Sequence, residues 1–222
     1  IKFDRTNSGF YYNLARSYEE LEDYENAVAS YTQCLYLRYD HFRQVHLSRG
    51  QCYLKMGERK SALMDFNKVL KLDNKNFMAF YLRGQCYLQD LRYMRALQDF
   101  NSAIKLKPNH LNAYYHRAIA SAQTGDRYGA LSDLNYVIRE SPNFSKAYFN
   151  RGIVFQRLNR FDKAKIDFDK TISLNYQKAD VYIRRGICNL RLGQKGMACE
   201  DFDAIERFDK QKANALKTKY CS

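Results

Sequence analysis

A repeated stretch in the middle of the chain decides the fold. Residues 77–110 read FMAFYLRGQCYLQDLRYMRALQDFNSAIKLKPNH, and residues 145–178 read SKAYFNRGIVFQRLNRFDKAKIDFDKTISLNYQK. In both stretches a glycine, Gly84 or Gly152, is followed twelve residues later by an alanine and sixteen residues later by a phenylalanine. Apolar residues recur at three- and four-residue intervals, which is the period of an amphipathic helix. The pattern therefore predicts two helices per stretch, at about 78–90 and 94–105 in the first.

The same pattern recurs along nearly the whole chain. A column of small residues has spacings of 35, 34, 34, 34 and 34: Ala15, Gly50, Gly84, Ala118, Gly152 and Gly186. A second small column keeps these intervals at Ala27, Ala62, Ala96, Ala130, Ala164 and Ala198. A bulky column follows at Tyr31, Phe66, Phe100, Leu134, Phe168 and Phe202. One helix pair cannot bury its own apolar face, whereas stacked pairs can, so we expect a solenoid.

These columns resemble the tetratricopeptide repeat family over residues 8 to 210. The resemblance implies an all-α fold, a right-handed α-solenoid of six helix pairs with a C-terminal closing helix, in a single repeat domain over residues 1–222. The six repeats, numbered 1 to 6, are expected at 8–42, 43–76, 77–110, 111–144, 145–178 and 179–210, and the closing helix at 211–220. The resemblance also implies that first helices line a concave groove that binds peptides or proteins.

Five of the six repeats carry an arginine and an aspartate sixteen residues apart. The pairs are Arg49 and Asp65, Arg83 and Asp99, Arg117 and Asp133, Arg151 and Asp167, and Arg185 and Asp201. Repeat 1 has Leu14 and Ser30 instead, so the two partners are present or absent together. This favours a structural ion pair between helices. The alternative is an arginine ladder that binds phosphates.

The net charge of +13 is unevenly distributed. Residues 8–42 contain six Asp and Glu against two Arg, whereas residues 145–178 contain eight Lys and Arg against three Asp. An excess of positive charge favours acidic partners or nucleic acid. No stretch approaches the roughly 18 to 20 apolar residues of a spanning helix, so no membrane-spanning segment is expected. The chain starts at Ile1 without a methionine, which suggests that an upstream segment was removed.

Motifs of catalytic or metal chemistry are absent from the sequence. It lacks a phosphate-binding glycine loop, a nucleophile elbow, a His-x-x-x-His pair and a Cys-x-x-Cys pair. We therefore predict no enzymatic activity, no cofactor and no metal. A lone groove-facing histidine, such as His116, is more often a polar contact than a catalytic base.

The candidate binding site is the groove expected along the first helices. Its candidate residues are Tyr81, Tyr115, His116, Lys146, Phe149, Asn150, Arg157, Arg184 and Arg191. The rings belong to one repeating column, and packing between neighbouring first helices is the alternative role for that column. The basic residues gather toward repeats 5 and 6, where Asp180 is the nearby acid. They indicate an acidic partner, with a merely solvated face as the alternative.

Three functions fit these features. The leading hypothesis is a scaffold that binds a peptide or protein segment in the groove. Nucleic-acid binding is the alternative, since +13 charges and 19 tyrosines offer electrostatic attraction and stacking surfaces. A structural or self-assembling spacer is the third. The clamp with which some family members bind acidic chaperone tails is absent: Asn150 and Arg184 match it, but Tyr115, Ile119 and Asp180 do not.

The cysteines divide into two groups. Cys52, Cys86 and Cys188 each follow the small column by two residues, which predicts buried packing positions and favours a reducing, cytoplasmic compartment. Cys199 and Cys221 lie eleven residues before and after an expected turn near Lys210, so an antiparallel hairpin could bring them together. Several bacterial tetratricopeptide proteins look similar here, which implies a bacterial source and an exported, oxidised form. The alternative is two unrelated thiols.

Overall fold

The computed structural model describes residues 7–37, 40–176 and 178–221. These residues form thirteen α-helices and no strand, so the predicted all-α fold is confirmed. In chain order, α1 to α13 span Ser8–Glu20, Tyr24–Tyr36, Phe42–Lys55, Arg59–Leu72, Phe77–Gln89, Tyr93–Leu106, Leu111–Thr124, Arg127–Glu140, Ser145–Arg157, Phe161–Ser173, Ala179–Arg191, Lys195–Ala204 and Lys210–Tyr220. The two helices of repeat 3, α5 and α6, begin and end within one residue of their predicted bounds. None of the described helices is long and apolar enough to cross a membrane.

The chain divides into two compact halves, Ile1–Ala113 and Tyr114–Ser222, with the division inside α7. Within each half, successive helices pack against one another as the stacked pairs of a solenoid. The core of each half is built from the small and bulky columns. In the C-terminal half its fully buried members include Ala118, Ala130, Leu134, Ala164, Phe168, Ala198 and Phe202.

Repeats 2, 3, 5 and 6 have glycine in the first small column because a phenylalanine ring lies against that position. A Cβ added at Gly84 would come 2.7 Å from the ring of Phe100, which real Cβ atoms do not tolerate. The same distance is 2.6 or 2.7 Å for Gly50, Gly152 and Gly186 against Phe66, Phe168 and Phe202. Here glycine is required by close approach, and backbone conformation plays no part. Repeat 4 departs from this arrangement, since it pairs Ala118 with Leu134.

The predicted ion pairs between helices are present, and Arg151 shows their geometry. Its Nε donates to Oδ2 of Asp167 at 2.9 Å and its Nη2 donates to Oδ1 at 2.7 Å. Its Nη1 donates to Oδ1 of Asn135 in the preceding repeat at 2.7 Å. The guanidinium thus joins α9, α10 and α8. The structural ion pair between helices, which was the favoured prediction, is therefore confirmed.

The other pairs repeat this two-point contact. Arg49, Arg83, Arg117 and Arg185 bind Asp65, Asp99, Asp133 and Asp201. The hydrogen bond to Asp99 raises the pKa of Arg83, so that guanidinium stays charged. The carboxylates are almost completely buried, which makes the arginines their necessary partners.

Helix α13 covers the end of repeat 6 and is tied to α12 by a disulfide between Cys199 and Cys221, with Cα atoms 5.9 Å apart. The sequence left open whether Cys199 and Cys221 are bonded or are two unrelated thiols, and in the structure they are bonded. Lys217 also forms ion pairs with Asp203 and Glu206. The other four cysteines are free and buried.

The end of repeat 6 differs from the prediction in one respect. A turn was expected near Lys210, but α12 already ends at Ala204 and Lys210 is the first residue of α13. Ile205 turns into the core, where it is completely buried, and the side chain of Asp209 caps α13 by accepting from the backbone N of Lys212. The connection is therefore longer than a turn centred on Lys210.

Candidate functional site

The candidate residues of the C-terminal half lie on the first helices α7, α9 and α11. Asn150 links two of these helices, because its Nδ2 donates to the hydroxyl of Tyr115 at 3.0 Å and to the carbonyl of Lys146 at 2.9 Å. The Tyr115 ring also contacts His116 and Phe144, with centroids 5.1 and 5.0 Å away. Burial raises the pKa of Tyr115 to about 12, so the phenol is neutral at pH 7.

Arg184 is held in place by a ring and a carboxylate. Its guanidinium carbon lies 5.8 Å from the centroid of Phe149, and its Nε donates to Oδ2 of Asp180 at 2.9 Å. A weaker contact of 3.4 Å joins its Nη1 to Gln156. These contacts use two of the five N–H donors of a guanidinium. The Phe149 ring is itself packed against Phe168 and Tyr176, so it is only half exposed.

The remaining basic candidates are exposed. Arg157 ends α9, and its Nη1 donates to the carbonyl of Ala122 on α7 at 2.9 Å, which fixes the guanidinium over the space between the two helices. Arg191 ends α11, and its guanidinium carbon lies 5.9 Å from the ring of Phe161. Lys146, near the start of α9, projects an exposed side chain. Positive charge is therefore present at both ends of α9.

A cavity of about 150 Å³ brings three of these candidates together. Asn150, Arg157 and Arg184 lie on it, and the rest of its lining is Ala118, Ile119, Ala122, Gln123, Leu134, Ile153 and Val154. Most of this lining is aliphatic. The arrangement can therefore hold an apolar group beside a group that accepts hydrogen bonds from arginine.

Tyr81 has a different environment, within the N-terminal half. It is 8% exposed, its ring centroid lies 4.6 Å from His110 and 6.3 Å from Phe100, and its hydroxyl accepts from Gln85. Burial raises its pKa to about 12. The ring is thus a packing element as well as a candidate.

Two features of the site were not foreseen from the sequence. Gln156 donates from Nε2 to the carbonyl of Arg184 at 2.9 Å, so it connects α9 with α11. The cavity itself was also missed. The sequence marks repeat 4 only as different, since it combines Ala118 with Leu134 where the other repeats combine a glycine or alanine with a ring.

A larger cavity of about 560 Å³ lies at the start of α3, with Arg43, Gln44 and Leu72 in its wall. It contains none of the candidate residues. Across the described part of the chain, no group of three or more His, Cys, Asp or Glu could hold a metal ion.

Stacked helix pairs with a repeating small–bulky contact define an α-solenoid repeat protein. One tetratricopeptide repeat model matches residues 8–41 and 145–178, and a second matches residues 47–109 and 81–145. Together the matches cover well over half of the chain. The chain belongs to the tetratricopeptide repeat family.

Comparison with known proteins gives relatives of this family. Over 60 residues the chain is 33% identical to Sperm-associated antigen 1 of Rattus norvegicus, which is 27% of this chain and 7% of that protein. The chain therefore spans only a small part of that relative. A tetratricopeptide repeat protein from Parabacteroides merdae is 25% identical, with a TM-score of 0.69, covering 99% of this chain and 86% of its own.

A third similar protein is YrrB, described as a tetratricopeptide protein with an unusual peptide-binding site. It is 20% identical with a TM-score of 0.69, and the match covers 85% of this chain and 97% of YrrB. At this identity the likeness concerns the fold. The family and these structures together place the chain in the general class of protein-interaction scaffolds.

Proposed function

We propose that the chain binds an acidic peptide or protein segment on the first helices of its C-terminal half. The binding surface consists of Tyr115, His116, Lys146, Phe149, Asn150, Arg157, Arg184 and Arg191. The observation that carries the proposal is the convergence of Asn150, Arg157 and Arg184 on one cavity. Charge-assisted hydrogen bonds from arginine to carboxylate are among the strongest in proteins, so such a surface favours an acidic ligand.

The charge balance of the surface supports this choice. Lys146, Arg157, Arg184 and Arg191 carry four positive charges, and Asp180 is paired with Arg184. The hydrogen bond that holds Arg157 goes to the neutral carbonyl of Ala122, so this contact leaves the positive charge of Arg157 uncompensated. Opposite charge also steers the encounter between partners.

The shape of the surface supports a peptide. Half-buried rings of Tyr115 and Phe149 offer apolar contact area, and amide side chains such as Asn150 can pair with a peptide backbone. YrrB, a protein of the same fold, is described as having a peptide-binding site. Because a fold hosts many functions, this likeness supports the class of ligand and leaves the surface to be tested on its own chemistry.

The test is binding of fluorescent peptides that are matched in length and apolar content but rich in either Glu or Lys. We expect the Glu-rich set to bind, and Arg157→Glu with Arg191→Glu to weaken that binding by about tenfold or more. Lys170→Glu, an exposed position on the second helix α10, is the matched control and should leave binding unchanged. Tighter, sequence-blind binding of single-stranded RNA with no binding of Glu-rich peptides would overturn the proposal in favour of a nucleic-acid partner.

A further inference from the structure

A cavity lies beside the core of repeat 4, whose central pair of residues differs from that of the other repeats. In repeats 2, 3, 5 and 6 a phenylalanine ring fills the space against a glycine, at 2.6 to 2.7 Å from where a Cβ would be. Repeat 4 replaces the ring with Leu134, which is smaller, and the glycine with Ala118. The two pairs have similar total volume but a different shape, because Leu134 lacks a ring and Ala118 carries a Cβ. The cavity of about 150 Å³ lies at this position and has both residues in its wall.

The floor of this cavity suits an aliphatic side chain. Ile119, Ala122 and Ile153 are the partly exposed aliphatic residues of its lining, and the buried Ala118, Leu134 and Val154 lie behind them. A volume of about 150 Å³ is of the size that holds a benzene molecule. A Val, Leu or Ile side chain is of comparable size.

The rim of the same cavity suits a carboxylate. Arg157 is anchored beside it through the carbonyl of Ala122, and Arg184 through Asp180 and the Phe149 ring. Two guanidinium groups therefore lie next to an aliphatic floor, with Asp180 as the neighbouring acid. A ligand that satisfies both parts carries its apolar group and its negative charge close together.

We infer that repeat 4 selects a peptide segment in which an aliphatic residue stands directly beside an Asp or Glu. The aliphatic side chain enters the cavity and the neighbouring side-chain carboxylate binds Arg157 and Arg184. We assign the acid to a position inside the peptide. Arg157 lies at the cavity, and the exposed Lys146 near the other end of α9 offers a positive charge to peptide residues beyond the cavity. This inference rests on the proposed function and specifies its ligand.

The experiment measures fluorescence anisotropy of the full chain with acetylated, amidated peptides of equal negative charge. One peptide carries Leu beside Glu in a Gly/Ser background, and the other carries Ala in place of that Leu. We expect the Leu peptide to bind about tenfold or more tightly, since a fully buried Leu gains at least that from burial. Equal binding of both peptides overturns the inference while leaving the proposed function intact. Absence of binding by either peptide overturns the proposed function itself.

A double substitution tests the cavity directly. Ala122→Leu with Ile153→Phe fills the cavity from two of its partly exposed lining positions. It should lower binding of the Leu peptide to the level of the Ala peptide and leave the Ala peptide unchanged. Ala122→Leu alone narrows the cavity from its wall and is the second variant should the first fail to fold. Retained preference for Leu in a folded variant overturns the inference, as does binding restricted to peptides with a free terminal carboxylate.

Discussion

The side chain of Arg151 compensates the negative charge of the buried Asp167. Asp167 is 2% exposed, and Arg151 gives it two hydrogen bonds. Removing one partner of a buried pair leaves an uncompensated charge, so we expect Arg151→Gln to lower the free energy of unfolding by about 3 kcal/mol or more. Urea denaturation followed by circular dichroism measures this loss.

The matched control is Arg139, which pairs with Glu140 on the surface, where the two side chains are 71% and 43% exposed. Arg139→Gln should change stability by less than about 1 kcal/mol. Equal effects of the two substitutions would show that the buried pairs are energetically like surface pairs, contrary to the assignment.

Gly84 provides a second prediction at this scale. Gly84→Ala places a Cβ 2.7 Å from the Phe100 ring, so we expect overpacking to destabilise the chain by about 1 to 3 kcal/mol. Gly196→Ala in α12 is the control, because a Cβ there meets nothing within 4 Å and alanine favours helix. Thermal melts of the two variants should shift in opposite directions. A stabilised Gly84 variant would contradict the close approach of the ring.

At the scale of elements, α13 is attached to repeat 6 by packing, ion pairs and a disulfide. Ala213 is buried, Leu216 and Tyr220 pack against the core of repeat 6, and Lys217 and the disulfide bind α12. We expect Cys199→Ser with Cys221→Ser to weaken the closing helix by about 3 kcal/mol, the stabilisation associated with a cross-link of this loop length. Hydrogen exchange of the α13 amides measures the effect.

A reductant provides the control for this substitution. Dithiothreitol should speed exchange in α13 of the unchanged chain and have no effect on the double variant. Unchanged exchange on reduction would mean that packing alone holds α13.

The sequence predicted the elements better than their contacts. The predicted bounds of α5 and α6 were accurate because small and bulky residues repeat with helical spacing. The predicted ion pairs were correct because arginine and aspartate occur together in the same repeats. The turn expected near Lys210 was misplaced because the burial of Ile205 is a tertiary effect and the local cap that Asp209 gives to α13 was overlooked. The exposure of the candidate binding residues was harder to predict from the sequence, because it also depends on tertiary contacts. The column containing Tyr81 and Tyr115 indicates a face, but only neighbouring side chains decide how much of each ring is exposed.

At the scale of the whole molecule, charge directs the encounter with a partner. The first repeat is acidic, whereas residues 145–178 carry eight Lys and Arg against three Asp. We expect the association rate of a Glu-rich peptide to fall by about tenfold between low and high salt, and its dissociation rate to change less. Stopped-flow fluorescence separates the two rates. An effect of salt confined to dissociation would contradict long-range steering.

The glycine–ring contact also bears on how such a chain changes over generations. Gly84 and Phe100 belong to one repeat, so duplication or loss of a whole repeat carries both partners along, while a point mutation alters one of them alone. The pair can differ in more than one way, since repeat 4 combines Ala118 with Leu134 and repeat 1 combines Ala15 with Tyr31. A copied repeat thus brings a complete pair into the stack, and the copied pair can change afterwards while the neighbouring repeats keep their own contacts.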